Sequence, residues 1–218
     1  MPKPATIAID GPVAAGKSAI GSLLAQRLGY RFLDTGAMYR ALTWLAIELR
    51  IDLEDEKALE ELAVGASIEL APAAVTVDGR DVTSDIRRED VERGVSLVAK
   101  VAGVRRALVA KQRQMSQGGR VVVAGRDIGT VVLPHAELKL YLAASPEERA
   151  RRRYLELVQR GQEASYDQVL AELKRRDKID SERALAPLQP APDAKVINTA
   201  GLNIEQVLAE IMDIIGGC

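Results

Sequence analysis

The first residues with usable chemistry lie close to the N-terminus. Gly11, Pro12, Val13, Ala14, Ala15, Gly16, Lys17 and Ser18 fit the pattern G-x-x-x-x-G-K-[ST] at every fixed position. Glycine at both ends lets the backbone wrap a phosphate without a clashing Cβ. The amide N–H groups of such a loop converge on the phosphate, and the helix that follows adds its positive end. Lys17 is placed to reach the transferred phosphate, and Ser18 to offer a hydroxyl to Mg²⁺. With Ala19, residues 11–19 form the expected ATP-binding stretch. A GTP switch would carry N-K-x-D, and the chain has none. A motor ATPase would carry an apolar strand ending in an acid. The apolar run at 121–124 ends in Ala124 and Gly125. A small-molecule kinase remains.

A kinase whose acceptor is itself a phosphate must bring two polyanions together. Arginine suits that task, because its planar fork binds phosphate in a bidentate way and stays charged. Candidates are Arg40, Arg105, Arg126, Arg149, Arg151, Arg152, Arg153, Arg160, Arg175, Arg176 and Arg183. Arg126 stands out, since it follows a buried strand and is flanked by Gly125 and Gly129. Arg40 follows a second strand end and shares that position. For Arg149 to Arg153, a solvated helix face with i,i+4 partners competes evenly with a functional reading.

These residues need a scaffold. Apolar runs at 6–9, 31–33, 121–124, 138–142 and 195–198 read as strands, and residues 17–28, 38–49, 58–62, 145–159, 166–180 and 204–215 as helices. Residues 85–117 read as two helices broken near Gly103. Between them, 67–70 and 75–77 alternate around an Asp78-Gly79 turn, with a third short strand at 81–83. The expected fold is α/β: a parallel P-loop sheet with helices on both faces, a small antiparallel insertion at 65–100, and a basic helical lid at 149–176. Residues 1–64 and 101–218 form the expected core. Ligands of such sheets bind beyond the carboxyl ends of the strands.

Composition narrows the classes. Aromatics make up only 3% of the 218 residues, so the core is aliphatic, as in helix-covered parallel sheets. A net charge of −1 excludes a global field for polymeric nucleic acid or membrane. One cysteine, Cys218, and one histidine, His135, exclude an internal disulfide and a Cys or His metal site. No apolar run reaches the ~18 residues of a membrane span, and the N-terminus lacks signal-peptide architecture. A cytosolic monomer is expected.

Taken together, the motifs resemble the bacterial cytidylate kinases. The resemblance runs from Ala5 to about Ile215 and rests on Ile9 to Pro12 leading into the P-loop, Leu33 to Arg40, Gly125 to Val132, and Arg183 to Leu188. It implies ATP as phosphoryl donor, CMP or dCMP as acceptor, and Mg²⁺ as cofactor. It implies that Thr35, Arg105 and Asp127 contact the cytosine base and that Arg40, Arg126 and Arg183 surround the acceptor phosphate. Ser96, Arg176 and Asp180 match positions near the sugar, and the proline-rich loop at 187–192 matches one beside the ATP base. Lys17, Arg126, Arg152 and Arg176 are the expected catalytic cations. Thr35 stands where serine is usual and Ala19 where threonine is common. Ala124 stands where an acid often precedes Gly125. Another small acceptor (UMP, shikimate or a sugar acid) and a non-catalytic ATP switch are the alternatives.

Overall fold

Ile7, Ala8 and Ile9 have no polar alternation and need apolar cover on both sides. They lie in β1 (Thr6–Asp10), where all three are fully buried. The computed structural model describes residues 3–71 and 74–217. Cys218 and the first two residues, used above for the disulfide and compartment expectations, lie outside those described. After β1 come α1 (Lys17–Leu28), β2 (Arg31–Asp34), α2 (Thr35–Glu48) and α3 (Glu56–Gly65). Next are β3 (Ile68–Ala71), β4 (Ala74–Val77), β5 (Arg80–Asp81), α4 (Glu89–Lys100) and α5 (Ala102–Met115). The chain then forms β6 (Val121–Ala124), β7 (Leu138–Ala143), α6 (Pro146–Gln159), α7 (Tyr166–Glu182), β8 (Lys195–Asn198) and α8 (Ile204–Gly216).

The main sheet has the order β2-β6-β1-β7-β8, and its β1–β6, β1–β7 and β7–β8 pairs are parallel. Ile7 pairs with Val122 on one side and Leu138 on the other. All four residues of β6 are buried, so this strand too is covered on both faces. Helix ends follow local chemistry. Gly29 stops α1 at φ 67°, where its N–H and that of Tyr30 satisfy the Gln26 and Ala25 carbonyls. Ser145 caps α6 with Pro146 at the first position, and Asn203 and Gln206 form a reciprocal capping box on α8.

The chain divides into two compact units, Met1–Arg31 with Gly119–Cys218, and Phe32–Gly118. The second unit is larger than the insertion expected at 65–100, because α2, α3, α4 and α5 share one core with the small sheet. Met38, Leu42, Leu59, Val91, Val98 and Leu108 are fully buried in it. Its sheet has the order β3-β4-β5, turned by Asp78 and Gly79 at φ 51° and 81°. The helix break expected at Gly103 falls at Val101 instead, which is extended. Gly103 lies inside α5, where a Cβ would meet the Glu60 side chain at 2.1 Å. Its role is close packing, not termination. α2 begins at Thr35, three residues earlier than the pattern suggests, because Asp34 caps it by accepting from Ala37 N–H.

One lysine closes the second unit. Lys111 on α5 donates from Nζ to the carbonyls of Ala63 (2.9 Å) and Ala66 (2.5 Å) at the end of α3. Partial burial lowers its pKa, the main cost of that placement. Lys111→Met keeps the stem and removes the donor, so the second unit should lose about 1–2 kcal/mol. Urea unfolding followed by Trp44, the only tryptophan, checks this. An unchanged midpoint would leave the capping without energetic weight.

Candidate active site

The phosphate loop leaves β1 through a contact only glycine permits. Gly11 sits at φ 148°, and a Cβ there would lie 2.4 Å from the Leu142 carbonyl oxygen of β7. Ala14 at φ 59° and Gly16 at φ 87° complete the wrap. A left-handed alanine is uncommon and strained, as often happens at functional sites. α1 has no acidic residue in its first turn, so none of its own carboxylates offsets its positive end. Lys17 is buried and donates from Nζ to the Pro12 carbonyl at 2.6 Å. Ser18 and Ala19 are exposed at the helix start.

The loop after β6 holds the next group. Arg126 Nε donates to Asp180 at 3.0 Å. Asp127 lies 3.5 Å from the Arg183 guanidinium, with both side chains nearly buried. Arg183 Nε also donates to the Ala186 carbonyl at 2.6 Å. Arg176 and Asp180 are both buried, one turn apart on α7. Beneath the loop, Asp10 at the end of β1 accepts from the N–H groups of Ile128 (2.7 Å) and Gly129 (2.8 Å). Burial pushes the Asp10 carboxyl up to about 6; the two backbone hydrogen bonds oppose that rise, Asp127 adds to it and Lys17 opposes it.

The arginines of α6 separate. Arg149 is 2% exposed. It donates from Nε to the Ala144 carbonyl (3.0 Å) and from Nη1 to the Val13 carbonyl of the phosphate loop (3.0 Å). Its Nη2 reaches Asp177 of α7 at 2.5 Å. It is therefore a buried strut, and the solvated-face reading fails for it. Arg152 reaches the Thr199 carbonyl at 2.5 Å and Glu148 at 3.3 Å. Arg153 and Arg160 pair with Glu156 on their own helix, and Arg151 is exposed. Arg152, Ala15, Gly16, Thr199, Asn203 and Ile204 help to line a cleft of about 680 Å³ against the phosphate loop. The start of α8 and the turn before it line this cleft, and the proline-rich loop does not.

In the second unit, Thr35 is buried at the first position of α2. Arg40 lies 3.4 Å from Asp34 and 4.0 Å from Glu92. Ser96 is buried on α4. Arg105 is 5% exposed, stacks over Tyr39 at 5.8 Å and donates to the Ala99 carbonyl at 3.4 Å. Sequence reasoning passed over Asp10, Asp177, Asp34 and Thr199. A signal existed for Asp10, since a carboxylate ending an all-apolar strand must find donors. One existed for Arg149 too: a cation in the first turns of a helix opposes the macrodipole and needs a separate reason to be there.

A sequence model of the family described as "Cytidylate kinase" matches residues 7–216. The chain is 53% identical over 213 residues to the cytidylate kinase of Geobacillus thermodenitrificans, covering 96% of this chain and 95% of the relative. It is 46% identical over 217 residues to that of Bacillus subtilis, with 98% and 97% covered. Among solved structures, a shikimate kinase from Bacteroides thetaiotaomicron superposes with a TM-score of 0.52 at 14% identity, covering 97% and 98% of the two chains. A gluconokinase from Sinorhizobium meliloti gives 0.53 at 13% identity, with 99% and 94% covered. These two establish the fold alone.

Arg149→Met should cost about 3 kcal/mol, because it leaves Asp177 uncompensated and two carbonyls without their donor. It should also raise the KM for ATP by loosening the phosphate loop at Val13. Urea unfolding by circular dichroism and initial rates against ATP check both effects. Wild-type values for both would return Arg149 to the solvated face.

Proposed function

The chain belongs to the cytidylate kinase family, and from that premise we propose that it transfers the terminal phosphoryl group of ATP to CMP or dCMP, giving ADP and CDP or dCDP. The observation that carries this reading is a phosphate loop with the required backbone, Gly11, Ala14 and Gly16 all at positive φ, within a family match spanning residues 7–216. The loop amides hold the donor phosphates, and the 680 Å³ cleft beside them is the place for its base. No general base is needed, because the attacking oxygen of the acceptor phosphate is largely ionised. Catalysis is positioning plus charge stabilisation in a loose transition state. Lys17, Arg126, Arg152 and Arg176 are the cations assigned to that role.

Among the described residues no cluster of three or more acidic, histidine or cysteine side chains is arranged to hold a metal. Mg²⁺ binds through few protein groups and through substrate phosphates. The exposed Ser18 hydroxyl would hold it, and it would supply neutralisation of phosphate charge. Acceptor binding is assigned to Thr35, Arg40, Ser96, Arg105, Arg126, Asp127, Arg176, Asp180 and Arg183. Residues 149–176 are assigned the role of lid and residues 65–100 that of the monophosphate-binding insertion. No helix among the described residues is long and apolar enough to cross a membrane. A cytoplasmic monomer working on small nucleotides is the fuller reading.

Lys17→Ala should lower CMP-dependent ADP release by about 100-fold or more and leave the circular dichroism spectrum intact. Undiminished turnover would remove Lys17 from the chemistry. A second experiment separates two roles for Asp127, which sits 3.5 Å from Arg183. Cytosine presents an N4 amino donor where uracil presents an O4 acceptor, and a carboxylate only accepts. Selection for CMP over UMP should be about tenfold or more in kcat/KM, worth about 1.4 kcal/mol per decade. Asp127→Asn can donate to O4, so the CMP/UMP ratio should fall. Equal losses on both substrates would confine Asp127 to its pairing with Arg183.

A further inference from the structure

Three backbone donors of one loop end on two consecutive residues of β1. Gly125 N–H donates to the Ile9 carbonyl at 2.9 Å. Ile128 and Gly129 N–H both donate to the Asp10 carboxylate, at 2.7 and 2.8 Å. Between these pins the chain has only two residues, Arg126 and Asp127, and they carry the side chains assigned to the acceptor. The space at the second pin is closed. A Cβ on Gly129 would meet Lys139 Cδ at 3.1 Å and Asp10 Oδ2 at 3.4 Å. Lys139 gives way poorly, because Asp193 holds its Nζ at 2.8 and 2.9 Å.

We infer that Asp10 is a positioning residue for the acceptor: its carboxylate, through the amides of Ile128 and Gly129, sets where Arg126 and Asp127 leave β6. This rests on the activity proposed above. The two N–H groups go to separate oxygens of the Asp10 side chain, and in an amide one of those two positions would be a donor instead. Each buried donor left without a partner would cost about 1–3 kcal/mol, so the loop path follows the carboxylate. The groups around Asp10 are Asp127 in the loop, Lys17 at the start of α1, and Tyr141 and the Lys139 stem on β7.

Protonation would place a hydroxyl against one of the two N–H groups and release half of the second pin. The linkage with stability runs the other way. The folded carboxyl titrates at about 6 against an ordinary 3.8, so the native state binds the proton more tightly than the unfolded chain. Charged Asp10 therefore costs stability in full above about pH 6, and the cost is relieved as pH falls from about 6 toward the ordinary 3.8. Acid should loosen the acceptor loop with no loss of stability from this residue.

The test is KM for CMP and for ATP, with thermal melting, for the wild type, Asp10→Asn and Gly129→Ala between about pH 5 and pH 8. Asp10→Asn should raise the KM for CMP about fivefold or more near neutrality and leave that for ATP within about twofold. The gap from wild type should close below about pH 6. The acceptor's own ionisation affects both proteins alike and drops out of the comparison. Gly129→Ala, which crowds the same pin with Asp10 intact, should also raise the KM for CMP selectively, and it decides alone if Asp10→Asn does not fold. Parallel rises in both KM values, or a gap that ignores pH, would overturn the assignment. Wild-type turnover of CMP is the separate control on the activity itself.

Discussion

Everything polar in the first unit depends on the central strand having no polar face. Ile7, Ala8 and Ile9 are covered on both sides, and β1 has a parallel neighbour along each edge. The strand can meet ligands only where it stops. Its last residues, Ile9 and Asp10, are followed at once by Gly11, where any Cβ would strike the Leu142 carbonyl of β7. The chain turns out of the sheet there and starts the phosphate loop at a defined point. β6 ends beside it, so the loop carrying Arg126 and Asp127 starts from the same edge. The proximity of the phosphate loop and the loop after β6 follows from strand order.

Arginines held away from water pose an energetic problem. A buried guanidinium without a partner is expensive, and removing one member of a buried pair costs about 3–5 kcal/mol. The chain gives its buried arginines carboxylates, Asp177 for Arg149 and Asp127 for Arg183, and does the same for the half-buried Arg126 with Asp180 and Arg40 with Asp34. Exposed pairs such as Lys57 with Glu61 contribute about 0–1 kcal/mol each, so they decide little. The buried pairs matter for geometry more than for net stability. A paired guanidinium keeps one orientation.

Much of this was legible in the sequence. The phosphate loop, the strands at 121–124 and 195–198, the Ser145 cap and the Asp78-Gly79 turn depend on local spacing and backbone preference. Helix breaks were less legible. Gly103 reads as a breaker from sequence, yet its lack of a side chain admits Glu60, a contact made across the second core. The fate of α6 could not be read locally either. Arg149, Arg152 and Arg153 lie within five residues of one another and have different partners: the phosphate loop and α7 for Arg149, Thr199 for Arg152, and Glu156 of the same helix for Arg153. Spacing shows that three cations share a helix. It does not show which of them the tertiary fold will bury.

α7 is where these pairings acquire a collective consequence. Asp177 and Asp180 are three residues apart and so fall on one side of the helix. The first grips Arg149, which also holds the Val13 carbonyl in the phosphate loop. The second grips Arg126, at the head of the loop after β6. One helix is thus tied to the phosphate loop by way of Arg149 and to the loop after β6 by way of Arg126. A shift of α7 along its axis by even one residue, about 1.5 Å, would break both pairs at once, since each depends on short guanidinium contacts. The position of α7 is therefore set jointly by two loops that are far apart in sequence. Arg176, buried on the same helix, takes its place from that joint constraint and from no local signal of its own.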